Sequence, residues 1–259
     1  MTDAVLCEIK DRIATITMNE PETRNSWTDT LMAGLFETID RIGRDPSVRV
    51  AVLTGSGPAF SGGANMKDAR THAAEHITDY WEGKDNSIYD AIMNCPKPVI
   101  AAVNGPAVGS GATLALGCDV RIASTRASFV WPMAGIGIIP ANGTLVRLAR
   151  IVGSGHALEL TLSAKKIDAT EAARISLVNH VVEPERLMDE ALTLAGRMAR
   201  QAPLSLQFIK EALYRGLDMG LHDAIHADRY RMFILYNTDD RKEASQAWLE
   251  KRPPQFTGR

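Results

Sequence analysis

Two glycine-lined turns hold the residues of this sequence whose types and spacing are best suited to chemistry. Residues 105–111 (GPAVGSG) follow the apolar run 99–103 and precede a helical pattern that starts at Ala112. Residues 55–64 (GSGPAFSGGA) likewise follow the apolar run 50–53. A glycine turn that leads into a helix leaves free backbone N–H groups at the positive end of the helix dipole, which suits a ligand oxygen carrying negative charge. Two such turns that converge would place donors around one oxygen atom.

These turns do not match the better-known glycine signatures. The triplet at residues 55–57 is followed by Pro58, so the third glycine of a dinucleotide-binding loop is missing, and no Gly-Lys-Ser/Thr of a phosphate-binding loop occurs. Ser110 does not stand in a nucleophile elbow either, because Val108 occupies the first glycine position of that motif. A tight structural turn is the alternative interpretation of each turn taken alone.

A pair of histidines offers a competing chemistry. His72 and His76, in the sequence HAAEH, match a zinc-protease pattern in which two histidines share one helix face. His222 and His226 repeat the spacing without the glutamate. The polar surroundings and the lack of a downstream ligand helix favour a solvated helix face, so we predict no metal site and keep a zinc hydrolase as the distant alternative.

The elements that must position the turns alternate between strand and helix, which predicts an α/β fold followed by a helical tail. A tight turn at Asp11 and Arg12 joins the first two strands, and Thr28 and Thr170 are predicted helix N-caps. The predicted strands cover residues 5–10, 13–18, 50–53, 99–103, 120–123, 128–130 and 178–182. The predicted helices cover residues 29–45, 65–94, 112–116, 144–151, 157–162 and 171–175, and nearly all of 184–248. The charged run 239–243 reads as a solvated helix start.

The composition of the chain limits the classes of binding partner and the cellular compartment that we expect. A net charge of -2 over 259 residues gives no reason to expect nucleic acid or a membrane surface as a partner. No apolar run approaches the ~20 residues that span a bilayer, and the first residues do not resemble a signal peptide. The three cysteines lack paired spacing and are expected to be buried thiols in a reducing compartment, so we predict a cytoplasmic protein.

Taken together, several motifs in order resemble the crotonase superfamily, also called the enoyl-CoA hydratase/isomerase family. The resemblance rests on Asn19-Glu20-Pro21 with Asn25, on PAFSGGA at 58–64, on the stretch 97–124, and on LEKR at 249–252 and FTGR at 256–259. It implies a spiral of ββα units over residues 1–200 and a helical trimerisation region over residues 201–259. It also implies a homotrimer or a hexamer, and an acyl-CoA thioester as substrate with no cofactor beyond that coenzyme A.

The resemblance further implies which residues form the site. The thioester oxygen would lie between the backbone N–H groups of Ala64 and Ser110, an oxyanion hole whose donors are fixed before charge develops. Other residues would line the substrate-binding region: Arg24, Asn25, Phe60, Gly62, Asn65, Met66, Gly109, Thr113, Met133 and Ala141.

Departures from the family pattern limit the reaction. Thr113 and Met133 match the two glutamates of typical hydratases, and Ala141 matches an aspartate of some other members. We therefore predict enolate chemistry other than conventional hydration: isomerisation, decarboxylation, thioester or C–C hydrolysis, or a hydration with displaced catalytic groups. A catalytically inactive acyl-CoA binder is the alternative. Replacement acid or base groups would come from these residues: Glu75, Glu82, Asp85, Tyr89, His226 and Tyr230.

Overall fold

The computed structural model describes residues 4–65 and 87–259, and its strands follow the apolar runs of the sequence. In chain order the strands are β1 (Val5–Lys10), β2 (Ile13–Met18), β3 (Ser26–Trp27), β4 (Val50–Gly55), β5 (Gly63–Ala64), β6 (Val99–Val103), β7 (Pro106–Val108), β8 (Val120–Ser124), β9 (Ser128–Val130), β10 (Ile167–Asp168) and β11 (His180–Val182). The helices are α1 (Asp29–Arg44), α2 (Ile88–Asn94), α3 (Ser110–Gly117), α4 (Thr144–Val152), α5 (Ser154–Leu162), α6 (Ala169–Arg174), α7 (Leu187–Ala199), α8 (Pro203–Gly216), α9 (Leu221–Tyr236) and α10 (Asp239–Glu250).

A six-stranded sheet in the order β1-β2-β4-β6-β8-β11 forms the centre of the fold. The β1–β2 hairpin is antiparallel, and the pairs from β2 to β11 are parallel. Both faces of β4 and β6 are buried, as expected for parallel strands that read as continuous apolar runs. One face packs against α7 and the other against the larger core that includes α1, which confirms the predicted α/β class.

Small sheets carry the turns beyond the ends of the central strands. Strands β10, β9 and β7 form a three-stranded sheet, and β3 pairs with β5. The register sets Ser26 against Gly63 and Trp27 against Ala64. Each glycine turn is therefore tied to a second strand pair at the point where it leaves the main sheet.

One of the two predicted helix N-caps is confirmed and the other is wrong. Thr28 caps α1 as predicted, since its hydroxyl oxygen accepts the N–H of Leu31 at 3.1 Å. The predicted cap at Thr170 is wrong. Asp168 caps α6 by accepting the N–H of Glu171 at 2.8 Å, because the helix begins one residue before Thr170.

The helical tail contacts the core through buried charges. Lys210 on α8 lies 2.9 Å from the Asp119 carboxylate, and the Tyr214 hydroxyl donates to the other oxygen of Asp119 at 2.5 Å. Asp240 is also buried and accepts the N–H groups of Thr257 and Gly258, so the interpretation of this helix start as wholly solvated is wrong. No helix among the described residues is both long and apolar enough to cross a membrane.

Candidate functional site

The two glycine-lined turns lie against each other. Ser61 and Ala107 form a parallel bridge, and the N–H of Val108 donates to the Ser61 carbonyl at 3.0 Å. The N–H of Phe60 in turn donates to the Pro106 carbonyl at 3.1 Å. Because these bonds run between the turns themselves, the distance between the turns is set by backbone and not by flexible side chains.

Gly63 marks the closest approach between the turns. A Cβ at this residue would lie 2.3 Å from the Val108 carbonyl oxygen and 3.1 Å from the Ser110 nitrogen, and the φ of Gly63 is +78°. Only glycine fits such a position without displacing backbone. The structure thus brings β5, which contains Ala64, next to the first turn of α3.

The first N–H group of α3 has no acceptor among the described residues. Ser110 is the first residue of the helix, so its N–H group has no acceptor within the helix. The rest of α3, residues 111–117, is buried, which leaves the helix dipole only weakly screened by water. Ala64 is exposed and Ser110 is half-buried, so a ligand oxygen can reach this point from solvent.

The turn that precedes Ala64 is held by a buried amide. Asn25 is 0% exposed, and its Nδ2 donates to the carbonyls of Ser56 and Ala59, each at 3.0 Å, and to that of Phe60 at 3.3 Å. Its Oδ1 accepts the N–H of Glu20 at 2.9 Å. These bonds occupy the whole side chain, so Asn25 supports the turn and does not offer a polar group to a ligand.

Four other predicted binding residues lie in or beside this turn. The Phe60 side chain is also fully buried, which makes it framework, whereas Arg24 is exposed. The Arg24 carbonyl accepts the N–H of Gly62 at 2.8 Å, so Gly62 connects the arginine's backbone to the site. Asn65 is half-buried and directly follows Ala64.

Thr113 lies in a chain of buried hydroxyl and indole groups. Its Oγ1 accepts the indole N–H of Trp131 at 3.1 Å and lies 3.2 Å from the Thr144 hydroxyl, which is 2.5 Å from the Ala141 carbonyl. Because a hydroxyl has a single proton, Thr144 donates that proton to the shorter contact with Ala141. Thr113 can then donate its own proton to Thr144, which leaves its hydroxyl fully engaged.

Met133 lies beside Gly109 in the second glycine turn, and Ala141 is linked to Thr113 through Thr144. Met133 is 8% exposed, and its terminal methyl carbon lies 3.5 Å from where a Cβ would stand on Gly109. Ala141 is exposed. Between them the turn presents three exposed isoleucines, Ile136, Ile138 and Ile139, so this side of the site is apolar.

The sequence did not indicate the structural role of Tyr89. The tyrosine is 3% exposed, and its hydroxyl donates to the Ser110 carbonyl at 3.0 Å. Burial raises the pKa of the Tyr89 phenol well above its ordinary value, so it cannot serve as the replacement base we had predicted as one option. Trp131 and Thr144 were also missed, since isolated Trp and Thr residues carry no spacing signal.

Other predicted acid, base or ligand groups stand elsewhere. His226 and Tyr230 are exposed on α9, with the His226 ring 4.4 Å from that of His222. These predicted residues lie outside the described part of the chain: Met66, His72, Glu75, His76, Glu82 and Asp85. Within residues 4–65 and 87–259, no group of three His, Cys, Asp or Glu side chains could hold a metal ion.

The chain is similar to known proteins in both sequence and structure. The sequence model of the family described as enoyl-CoA hydratase/isomerase matches residues 8–259. The chain is 39% identical to (E)-benzylidenesuccinyl-CoA hydratase of Thauera aromatica over 98% of this chain and 99% of that protein. It is 35% identical to short-chain-enoyl-CoA hydratase of Clostridium acetobutylicum, covering 96% and 95% of the two chains. It is 34% identical to 1,2-epoxyphenylacetyl-CoA isomerase of Escherichia coli over the full length of both.

Solved structures agree with the sequence matches. The crystal structure of an enoyl-CoA hydratase from Bacillus anthracis superposes with a TM-score of 0.92 at 32% identity, over 99% of this chain and 100% of that one. A second enoyl-CoA hydratase structure, from Geobacillus kaustophilus, gives a TM-score of 0.91 at 35% identity over 99% and 98% of the chains.

Proposed function

The chain belongs to the enoyl-CoA hydratase/isomerase family, and from that premise we propose that it binds an acyl-CoA thioester with the carbonyl oxygen between the backbone N–H groups of Ala64 and Ser110. The α/β, crotonase-like fold is confirmed by the solved relatives. The observation that carries the proposal is the contact of the two glycine-lined turns at Gly63, which brings the residue before Ala64 against the Ser110 nitrogen.

This arrangement favours an enolate. When a proton or a carboxylate leaves the α-carbon of a thioester, the electron pair moves onto the carbonyl oxygen. Fixed N–H donors stabilise that charge without reorganising, and removing one such donor typically lowers kcat by about 10²- to 10³-fold. The buried α3, with its positive end at Ser110, adds to this stabilisation.

The side chains around the turns favour a reaction other than conventional hydration. Thr113, which matches a glutamate of typical hydratases, is engaged with Trp131 and Thr144, and Met133 at the second position offers only a thioether. Decarboxylation needs least from these side chains, because the leaving carboxylate itself generates the enolate. Relatives include hydratases and an isomerase, so isomerisation, and a hydration whose acid and base groups come from other positions, stay open. A catalytically inactive acyl-CoA binder is the alternative.

Turnover of a panel of acyl-CoA thioesters, followed by mass detection, tests this proposal directly. The panel should include thioesters that carry a phenyl ring, since two relatives are named for such acyl groups. Calorimetry should compare each acyl-CoA with its free acid. Binding of the thioester but not of the acid supports the site, and equal or absent affinity for both contradicts it. Binding without any turnover favours the inactive binder.

We also propose that the chain assembles as a homotrimer or a hexamer. Helices α8 and α9, with the turn that joins them, expose large apolar side chains that a monomer would leave in water. These are Ile209, Leu213, Leu217, Leu221, Ile225, Tyr230, Phe233 and Ile234. Light scattering at micromolar concentration should give a mass three or six times 28.2 kDa, whereas a stable monomer would contradict the assembly.

No metal and no cofactor beyond the substrate's coenzyme A enter the proposal. The three cysteines are free thiols, which fits a reducing compartment such as the cytoplasm.

A further inference from the structure

Tyr89 contacts Ser110 directly and is linked to Ala64 through Trp27. Its hydroxyl donates to the Ser110 carbonyl at 3.0 Å, and its ring lies 5.6 Å from the ring of Trp27 at an interplanar angle of 38°. Trp27 is paired with Ala64 in the β3–β5 ladder. One buried tyrosine thus connects the strand that positions Ala64 with the helix that begins at Ser110.

Packing alone holds the indole in this connection. The Nε1 atom of Trp27 is buried and has no hydrogen-bond partner among the described residues. Packing against neighbouring side chains therefore positions the ring, and its aromatic contact among the described residues is with Tyr89. Tyr89 is itself confined, because its Cδ1 lies 3.5 Å from where a Cβ would stand on Gly117, at the far end of α3.

We infer that Tyr89 is a positioning residue for this site: through Trp27 and the Ser110 carbonyl it fixes the separation of the Ala64 and Ser110 amides. This inference rests on the proposed function, because it concerns the geometry of the same two donors. Tyr89 does not touch the substrate and transfers no proton. Its loss should weaken polarisation of the thioester carbonyl more than it weakens binding of the coenzyme.

The informative variant is Tyr89→Phe, which removes the hydroxyl and keeps the ring. Tyr214→Phe is the matched control, because it removes a hydroxyl that donates to Asp119 next to the other end of α3. The probe is cinnamoyl-CoA, a conjugated thioester whose absorption moves to longer wavelength when its carbonyl is polarised. The absorption shift is measured at saturating cinnamoyl-CoA, and the dissociation constant and the melting temperature are measured for each variant. A substrate from the acyl-CoA panel gives kcat and KM.

We expect native protein and Tyr214→Phe to shift the cinnamoyl-CoA absorption equally. Tyr89→Phe should give a clearly smaller absorption shift, with a dissociation constant within about twofold of the native value. Its kcat should fall about tenfold at unchanged KM, a smaller decrease than the loss of a whole oxyanion donor causes. A merely structural role would change the melting temperature but not the shift at saturation.

Two results separate the inference from the proposed function. If native protein neither binds cinnamoyl-CoA nor shifts its absorption, the oxyanion-hole proposal itself fails. If native protein shifts the absorption and Tyr89→Phe matches it, only the positioning role is overturned. Should Tyr89→Phe fail to fold, Trp27→Phe tests the same connection from the other side, and an unchanged shift in that folded variant likewise overturns the inference.

Discussion

The hydroxyl oxygen of Thr113 accepts the indole N–H of Trp131 at 3.1 Å, and Trp131 is 0% exposed. The threonine at the edge of the proposed site is thereby part of the core. A polar group so deeply buried is stable only while its partner is present.

Thr113→Val should therefore destabilise the protein even though it keeps the shape of the side chain. The change leaves the Trp131 N–H without an acceptor, at a cost of about 1–3 kcal/mol in the free energy of unfolding. Thr113→Ser keeps the hydroxyl and is the control, with a smaller loss from the missing methyl group. Urea denaturation measures both. Equal stability of Thr113→Val and native protein would show that the indole finds another acceptor.

Gly63→Ala should weaken the binding of acyl-CoA thioesters at least tenfold. Gly153→Ala is the matched control, since Gly153 has a φ of +81° against +78° at Gly63 but has no heavy atom within 4 Å of its added Cβ. Both variants should lose about 1–3 kcal/mol of stability through backbone strain, because a side chain is disfavoured at positive φ, and Gly153, with a ψ of 153°, lies in a region that is nearly restricted to glycine. Only Gly63→Ala also forces the two turns apart, and such overpacking should lower the free energy of unfolding by a further amount of about 1–3 kcal/mol.

Calorimetry with an acyl-CoA and thermal melting distinguish the two glycine variants. We expect Gly153→Ala to bind like native protein and Gly63→Ala to bind at least tenfold more weakly. Native-like binding by Gly63→Ala would mean that the separation of the turns does not matter for the ligand.

Asn25→Asp should be more harmful than its small change in size suggests. A carboxylate cannot donate, and it would face the carbonyls of Ser56, Ala59 and Phe60 in a fully buried position. A buried group left unsatisfied in this way costs about 1–3 kcal/mol, and more when it is charged. The midpoint of urea denaturation at neutral pH should fall, and should recover partly at low pH as the carboxyl is protonated. A midpoint independent of pH would contradict this account.

Much of the framework was predictable from the residues alone. Strands such as β1, β2 and β6 match their predicted bounds, because apolar alternation or a buried apolar run determines them locally. The cap of α6 was not predictable in the same way, because Asp168 and Thr170 are both good caps and the choice depends on where β10 ends.

The site was predictable only in part, and for a physical reason. Glycines in the two turns signal close backbone approach, so their convergence could be expected from sequence. The supports of the site come from distant segments: Tyr89 reaches Ser110 from another helix, and Trp131 reaches Thr113 across 18 residues. Such contacts have no periodicity, and only the tertiary structure reveals them.

Acid should weaken the attachment of the segment after α10. The Glu243 carboxylate accepts hydrogen bonds from the Arg252 guanidinium and from the N–H of Gln255, which lower its pKa to about 2 from 4.5. Because the folded-state pKa is depressed, the contribution to stability is present above pH 4.5 and is lost as the pH falls through about 2. Glu243→Gln and Arg252→Gln should each flatten the pH dependence of unfolding in this window. A native-like slope in either variant would assign the acid sensitivity to other carboxylates.

Hydration of crotonyl-CoA needs one group to deprotonate water and another to protonate the α-carbon. General acid–base catalysis contributes about 10²- to 10⁴-fold per group, and neither Thr113 nor Met133 can supply it. We expect native protein to hydrate crotonyl-CoA at least about 10³-fold more slowly than a typical hydratase, a reduction that the loss of two such groups can account for.

Thr113→Glu combined with Met133→Glu should raise the hydration rate above that of either single variant. Because Thr113→Glu also breaks the contact with Trp131, its folding must be checked. The assay follows the loss of the enoyl absorption, with Met133→Gln in the Thr113→Glu background as the control for size without a titratable group. Rapid hydration by native protein would show that both proton-transfer groups come from elsewhere in the chain, and would make this protein a conventional hydratase in its reaction.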